Sequence, residues 1–564
     1  MKKLLLLPAI MIIMAAFAVA TLEDSDYVLS NSDDWRDVYS SVQYATLSGK
    51  DFGFLVSEKH ALSVVNTISR NLNIGLVSSD TSPFFMGYKS FLESKGFSTV
   101  SEDVLRNVNL ELAERLPDIT NFIIMDDSYG YNAIAAAPYA ATKKSYVIFA
   151  NRENIGAVED FLDSKPAIGE LLIFGHVDRE VKEQLSRFNP EIINKEDRFD
   201  NNVEIVKRYR EIRPAKQIVI TNGEFIEKEI MMGAEPVLFI GRENVPDQIK
   251  NYIQSTDIEV AVLVGNELIN TATNIRRTVG ISTFVKFAQG SRGGGGSISQ
   301  VEALDMFYLP TYTLNVAIES VKYNKAMNTL EVTYRNNADV ASYLKGTITL
   351  EDKDSGEEQR VGDIDSVFIE GGSLKTIAYS GINLTGESFL ARVFTIYGES
   401  RNSLEFVLQA ELDVDVVNIY DNCEIELEKA LFHKRKQQFL ITVANIGPEA
   451  CYVQLELTDV VIADERVTLG TVDPVKIEIG KKSDIAIDAM LTDSDLEKNN
   501  YINLIAYYGQ RESSLIKVLK AKLQLEIKSV DIVYYSVWVG VILLIIVLLF
   551  LLFRRRKEDE EEED

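Results

Sequence analysis

Chemistry in this sequence gathers in a few polar residues that follow apolar strands. Asp126, Asp127, Ser128 and Asn132 come directly after Phe122–Met125, and Thr221, Asn222 and Glu224 close the run Gln217–Thr221. Ligands of open α/β sheets collect at the carboxyl ends of strands, where such side chains would offer carboxylate, hydroxyl and amide groups. The same residue types cap helices, so ligand contact and capping both stand as readings. Catalysis finds little support. The only histidines are His60, His176 and His433, and there is no H-E-x-x-H and no G-x-S-x-G. Three scattered histidines make no zinc site unless the fold adds carboxylates. His176, after Gly175, is the one candidate general base, with a plain loop histidine as the alternative. Gly293–Gly296 lacks the Gly-Lys-Ser/Thr of a phosphate loop and reads as a flexible linker. Glu351-Asp352-Lys353-Asp354-Ser355-Gly356 has the flavour of a calcium loop without the full pattern, and reads as a hairpin turn. A non-enzyme with no cofactor and no metal is expected.

Repeats define the elements that position these residues. Asn151-Arg152-Glu153-Asn154 matches Gly241-Arg242-Glu243-Asn244 at an offset of 90, and the same offset aligns the strands ending at Gly175 and Gly265. The doubled Arg-Glu-Asn reads as a structural turn and cap. Strands are expected at Phe122–Met125, Tyr146–Phe149 and Leu171–Phe174, then at Gln217–Thr221, Val237–Ile240 and Val260–Val264. A weaker first unit shows Phe52–Val56 and Ile74–Ser78. Continuous apolar strands alternating with helices indicate parallel sheets covered on both faces. The fold class is therefore multidomain: three α/β, Rossmann-like modules (21–120, degenerate; 121–212; 213–288), a Gly/Ser-rich linker (289–308), then two β-sandwiches (309–412 and 413–530). The sandwiches repeat as well: Tyr397–Leu412 matches Tyr508–Leu523 at offset 111, and Asn336, Ala341 and Tyr343 match Asn445, Ala450 and Tyr452 at 109.

The ends predict a location. Residues 1–20 carry two lysines, an apolar stretch and Ala18-Val19-Ala20, the pattern of a secretory signal cleaved before Thr21. Ile532–Phe553 has no charge and the length of a membrane-crossing helix, with Arg554-Arg555-Arg556-Lys557 behind it. The expectation is a single-pass protein in the cell membrane, with its bulk outside and 554–564 as a cytoplasmic tail. A formal charge of -27, from 58 basic and 85 acidic residues, excludes nucleic acid as a partner. Cys423 and Cys451 are the only cysteines, and outside the cell a bond between them would persist. Asn383-Leu384-Thr385 is a glycosylation acceptor sequence.

A family resemblance covers about 50–288 and is best over 122–209. Asp127-Ser-Tyr-Gly-Tyr-Asn132-Ala-Ile-Ala-Ala-Ala-Pro138, the strand Glu170–Gly175 with Val181-Lys-Glu-Gln-Leu after it, and Asn194-Lys-Glu-Asp-Arg-Phe-Asp200 are together similar to the cell-wall-binding repeat 2 family. Asn132 stands where that family carries Asp, and the third unit, Glu224 to Pro236, has lost most of the signature. The resemblance implies three tandem modules and non-covalent binding of anionic wall polymers; Lys143-Lys144 and Lys207-Arg208 are the basic clusters that could serve it. The C-terminal half resembles the tandem Ig-like, CARDB-like sandwiches of archaeal surface proteins. Asp197 and Arg198 either form a buried pair joining modules or lie on the surface.

These readings predict a cell-surface protein that binds or assembles with envelope components: a surface-layer (S-layer) part, or a link between that layer or its glycan and the membrane. Its partners would be envelope glycan, other surface proteins or further copies of itself, in an archaeal type of envelope. The alternatives are a receptor or solute-binding protein capturing a small ligand in its α/β head, and an envelope enzyme.

Overall fold

The computed structural model describes residues 21–528 and 542–549, apart from 196, 242, 266–267, 287–289, 292–301 and 304–305. The expected signal segment 1–20 and tail 554–564 lie outside the described residues. The chain folds as two units, one of residues up to Tyr312 together with Asn402–Phe406, the other of Thr313–Arg401 and the chain from Val407 onward.

In the first unit, three four-stranded parallel sheets follow one another, all with the strand order second-first-third-fourth. The first module uses Tyr27–Asn31, Asp51–Phe54, Ile74–Ser79 and Val100–Leu105. The second uses Asn121–Met125, Ser145–Phe149, Leu171–Phe174 and Glu191–Ile193. The third uses Gln217–Thr221, Val237–Phe239, Val260–Val264 and Ser282–Lys286. In the second module the central strands Asn121–Met125 and Leu171–Phe174 are buried almost along their length, because helices cover both faces of a parallel sheet. One apolar core runs through all three modules, from Leu22 to Leu309, and a second, around Leu29, Leu76 and Tyr88, lies within the first module.

Two strands of the first module, Tyr27–Asn31 and Val100–Leu105, were not marked by the sequence pattern. Tyr27–Asn31 carries two polar residues, Ser30 and Asn31, that are nonetheless buried. The linker expected over 289–308 also needs correction at its end. Met306–Tyr308 is a strand, paired antiparallel with Phe225–Glu227 of the third module. Met306 and Phe307 are buried, as residues of a docked strand are.

An amide clamp joins successive modules. The second strand is the outer edge of each sheet, and an asparagine from the preceding module completes its ladder. Asn109 accepts from the Phe149 N–H (3.1 Å) and donates to the Val147 carbonyl (2.9 Å). Asn202 accepts from the Phe239 N–H (2.8 Å) and donates to the Val237 carbonyl (2.8 Å). One buried side chain thus satisfies both a donor and an acceptor that an edge strand would otherwise bury unpaired.

The second unit holds two β-sandwiches. In the first, a sheet of Leu374–Ser380, Thr329–Asn336, Val316–Asn324 and Asp415–Val417 faces one built on Ser342–Asp352 and Phe389–Gly398. Ser342–Asp352 alternates strictly between buried and half-buried residues, as a strand with one face on a core must. In the second sandwich, Lys517–Lys528 pairs with Tyr501–Gly509 on one side and with Ile425–His433 on the other, so both sheets run on as one. Cys423 and Cys451 are bonded and buried there.

The expected fold class and membrane location require correction at the C-terminal end. Among the described residues, no helix is long and apolar enough to cross a membrane. Of the span 532–553, only 542–549 is described, as eight helical residues, and the rest lies outside the described residues.

Candidate functional site

In each parallel sheet the first and third strands send their chains to opposite faces, which opens a crevice at their carboxyl ends. In the second module this crevice lies after Met125 and Phe174, where Asp126, Asp127, Ser128 and Asn132 were expected. They do not cap the following helix, whose N-cap is Gly130. Asp126 instead accepts from the Ser128 N–H (2.8 Å), closing a turn. Asp127 forms an ion pair with Arg36 of the first module (2.6 Å) and accepts from the Asn151 amide (3.0 and 3.1 Å). The Ser128 side chain is exposed. Asn132 packs directly on Gly175, where any Cβ would come within 2.1 Å of its amide nitrogen, and Gly175 also has φ +80°. Asn132 thus lies against the turn that ends the third strand.

The third-module set is separate from the second. Thr221 and Asn222 are buried. The Thr221 hydroxyl accepts from the Gly223 N–H (3.2 Å), and the Asn222 side chain accepts from the Glu224 N–H (3.3 Å). The Glu224 carbonyl accepts from the Leu309 N–H (2.8 Å). This turn serves the docked strand Met306–Tyr308. The Asn151 copy of the repeated Arg-Glu-Asn is likewise a turn: Asn151 accepts from the Glu153 and Asn154 N–H groups (2.8 and 3.0 Å). In the other copy, Arg242 lies outside the described residues.

The first two modules share a cleft of about 660 Å³, lined by Asp33, Asp34, Arg36, Asp127, Phe307 and Tyr308 among others. Arg36 bridges Asp34 (2.6 Å) and Asp127 (2.6 Å) across it. The hydrogen bond to Asp34, chiefly, holds the guanidinium more firmly protonated than usual. Asp33 and the Tyr308 ring are exposed. Asp37, just behind, is lifted to about 6 by burial, against the hydrogen bonds of Ser79 and Ser32.

Arg198 forms a buried polar cluster in the first unit. It pairs with Glu405 (2.5 Å) and donates to the Tyr312 hydroxyl (2.8 Å), and its guanidinium lies 4.1 Å from the Tyr131 ring centre. Asp197 caps the helix Arg198–Ile212 and accepts from Ser403 (2.6 Å). Sequence reasoning left these two as either a buried pair or surface residues and missed Glu405, which lies 207 residues from Arg198. It also missed the Asn109 and Asn202 clamps, although Asn-Val-Asn and Asn-Asn-Val at corresponding places carried the signal.

The remaining candidates scatter. His176 is exposed after Gly175, and His433 is buried at a strand end. Asp352 accepts from the Asp354 and Gly386 N–H groups (both 2.9 Å), which makes its loop a bonded turn. Asn383 is exposed. Among the described residues no three His, Cys, Asp or Glu side chains are grouped to hold a metal ion.

Taken together, the described fold is a tandem of three α/β modules and two β-sandwiches. No family model matches the chain, and no curated protein does. Matching solved structures include the periplasmic chaperone SfaE, at 15% identity over 38% of this chain and 100% of that one, with a TM-score of 0.14. The chaperone–tip adhesin complex of CFA/I fimbriae biogenesis matches at 15% identity over 37% and 98%, TM-score 0.14. The CsuC–CsuE chaperone–tip pre-assembly complex of Acinetobacter baumannii matches at 12% over 38% and 100%, TM-score 0.14. Likeness this slight carries no argument about function.

Proposed function

We propose that this chain is a non-catalytic, exported protein of the cell surface that binds or assembles with other envelope components, protein or glycan. The observation that carries the reading is how the strand-end crevices are used. In the second module Arg36, Asn151 and Asn132 occupy the groups that a substrate would need, and in the third a turn and a docked strand do so. What the modules offer is outer surface. The buried Cys423–Cys451 bond supports export, since such bonds persist in oxidising compartments. The resemblance to cell-wall-binding repeats supports an envelope partner.

A second reading, capture of a small ligand, is favoured by one feature, the cleft between Asp33 and Tyr308. Co-sedimentation of the purified protein with isolated envelope, before and after protease or glycosidase treatment, tests both. Retention that either treatment abolishes fits assembly. No retention on any fraction, with saturable binding of a small solute competed at Asp33→Asn, would replace the proposal by the second reading.

A further inference from the structure

The two sandwiches are repeats, and one face of the first is covered by the second. Glu331 and Thr333 lie side by side with Ala378 and Thr376 on neighbouring strands, and the two threonine hydroxyls are 2.8 Å apart. Onto this face comes the turn Gly509–Ser514. Arg511 and the Ser514 hydroxyl donate to the fully buried Glu331 (2.7 and 2.6 Å), and Thr376 donates to the Ser513 carbonyl (3.3 Å). Beside it, Glu370 accepts from the Gly470 N–H (2.9 Å).

Offsets of 109 and 108 carry this face onto the second sandwich. Thr333 becomes Thr442, Thr376 becomes Asp484, Glu331 becomes Leu440, Ala378 becomes Ala486 and Glu370 becomes Glu478. The pairing is kept: Thr442 lies opposite Asp484 and donates to it (2.6 Å), and Leu440 lies opposite Ala486. Here nothing among the described residues covers it. Asp484, Ala486 and Asp488 are exposed, and Ile479 is 56% exposed. The free edge agrees. Gln437 bonds with Ala489 and Asn445 with Lys481, so by the alternation of an antiparallel ladder the N–H groups of Asp484, Ala486 and Asp488 point away from the neighbouring strand.

We infer that this face is the docking site for a partner protein that presents a basic turn, as Arg511 is presented to the first sandwich. Charge selects the occupant. Of the nearby cations, Lys476 pairs with Glu478 and Lys482 with Glu428, and Lys481 lies before the strand; Asp484 and Asp488 have no cationic partner among the described residues. A second copy does not supply the turn. Its Gly509–Ser514 is already bonded to Glu331, and in the repeated turn Gly398–Ser403 the serine is bonded to Asp197 and Gln248. Edge-to-edge pairing of two copies would also bring Asp484 and Asp488 against their own kind.

The inference rests on the reading that the chain assembles with surface components, and names the face and the partner. Ala486 in the full chain is replaced by photoreactive p-benzoylphenylalanine and the producing cells are irradiated. The expected result is one major adduct with a different polypeptide, whose linked peptide is an Arg- or Lys-bearing turn. Asp484→Lys in the same chain lowers the adduct yield at least tenfold, with an unchanged melting profile. An adduct with a second copy, with glycan or with an acidic segment overturns the inference, as does no adduct. Each of these leaves the envelope-binding reading to its own co-sedimentation test.

Discussion

Replacing Asn202 by leucine tests the clamp between the second and third modules. Leucine fills nearly the same volume, so packing around the helix Arg198–Ile212 changes little. What disappears is one donor and one acceptor. The Val237 carbonyl and the Phe239 N–H, both in residues with no exposure, lose the bonds of 2.8 Å that Asn202 made. A buried polar group left unpaired costs about 1–3 kcal/mol, so the variant should lose roughly 2–6 kcal/mol. Hydrogen exchange of the segment 236–240 reads this directly, because the Phe239 N–H faces Asn202 alone. Even the lower figure, about 2 kcal/mol, makes opening roughly thirtyfold more frequent. Asn202→Asp adds a check of sign. Its carboxylate can accept from Phe239 but repels the Val237 carbonyl, whereas a protonated carboxyl can donate to it. Asn202→Asp should therefore be less destabilised at pH 4 than at pH 7. Exchange at Phe239 within threefold of the parent in Asn202→Leu would refute the clamp as an energetic element.

Other perturbations have equally definite outcomes. Lys375→Met leaves the buried Glu456 carboxylate without its cation, and should cost about 3–5 kcal/mol, while Lys375→Met with Glu456→Leu should recover most of it; denaturant melts of the pair decide, and additive losses would sink the argument. Burial outweighs the pull of Glu456 in lowering Lys375, so that pair is held by its position in the fold. Removing the Cys423–Cys451 bond frees a separation of 28 residues and should cost about 3.6 kcal/mol on the loop-entropy account, read as a lower melting temperature in the presence of reductant; an unchanged melt would contradict it. Asp37 has a folded value of about 6, above its ordinary one, so its contribution is present at low pH and lost as pH rises through about 6. Asp37→Asn should thus stabilise at pH 8 by at most about 3 kcal/mol, an advantage fading between pH 6 and 4, with Trp35 fluorescence as the probe.

Which parts of this were legible follows from the range of each interaction. Strands such as Phe122–Met125 show in sequence because burial on both faces demands a run of apolar residues. The sandwich strands show because one buried face demands alternation. Tyr27–Asn31 hides because a central strand ended in Ser30 and Asn31, whose polarity is satisfied only after folding: Asn31 donates to Ser78 and to the Phe85 carbonyl. Met306–Tyr308 hides because three residues give too short a pattern beside a glycine-rich run. At the candidate site the residue types were legible, but their engagements were not. Asp127 meets Arg36 from 91 residues away, and nothing in local spacing encodes that distance. The expectation of a membrane helix rested on the uncharged run 532–553 and the basic residues behind it, and among the described residues no helix is long and apolar enough to cross a membrane.

Charge decides how far the wall-binding resemblance can be carried. The cleft between the first two modules holds Asp33, Asp34 and Asp127 against Arg36, three negative groups and one positive, a net of minus two, and Arg36 is already committed to two of the acids. A polyanion brought there meets repulsion and no spare cation, within a chain whose formal charge is -27. Polymer binding at a basic site weakens as salt rises, because counterions are exchanged. An acidic cleft predicts the reverse. Any association of an anionic wall polymer with it should strengthen between low and physiological salt, as the field contracts to about 8 Å, and Asp33→Lys should tighten it further. A salt titration of polymer binding separates the two. Weakening with salt, unaffected by Asp33→Lys, would move the polymer to another surface, such as that around Lys207 and Arg208.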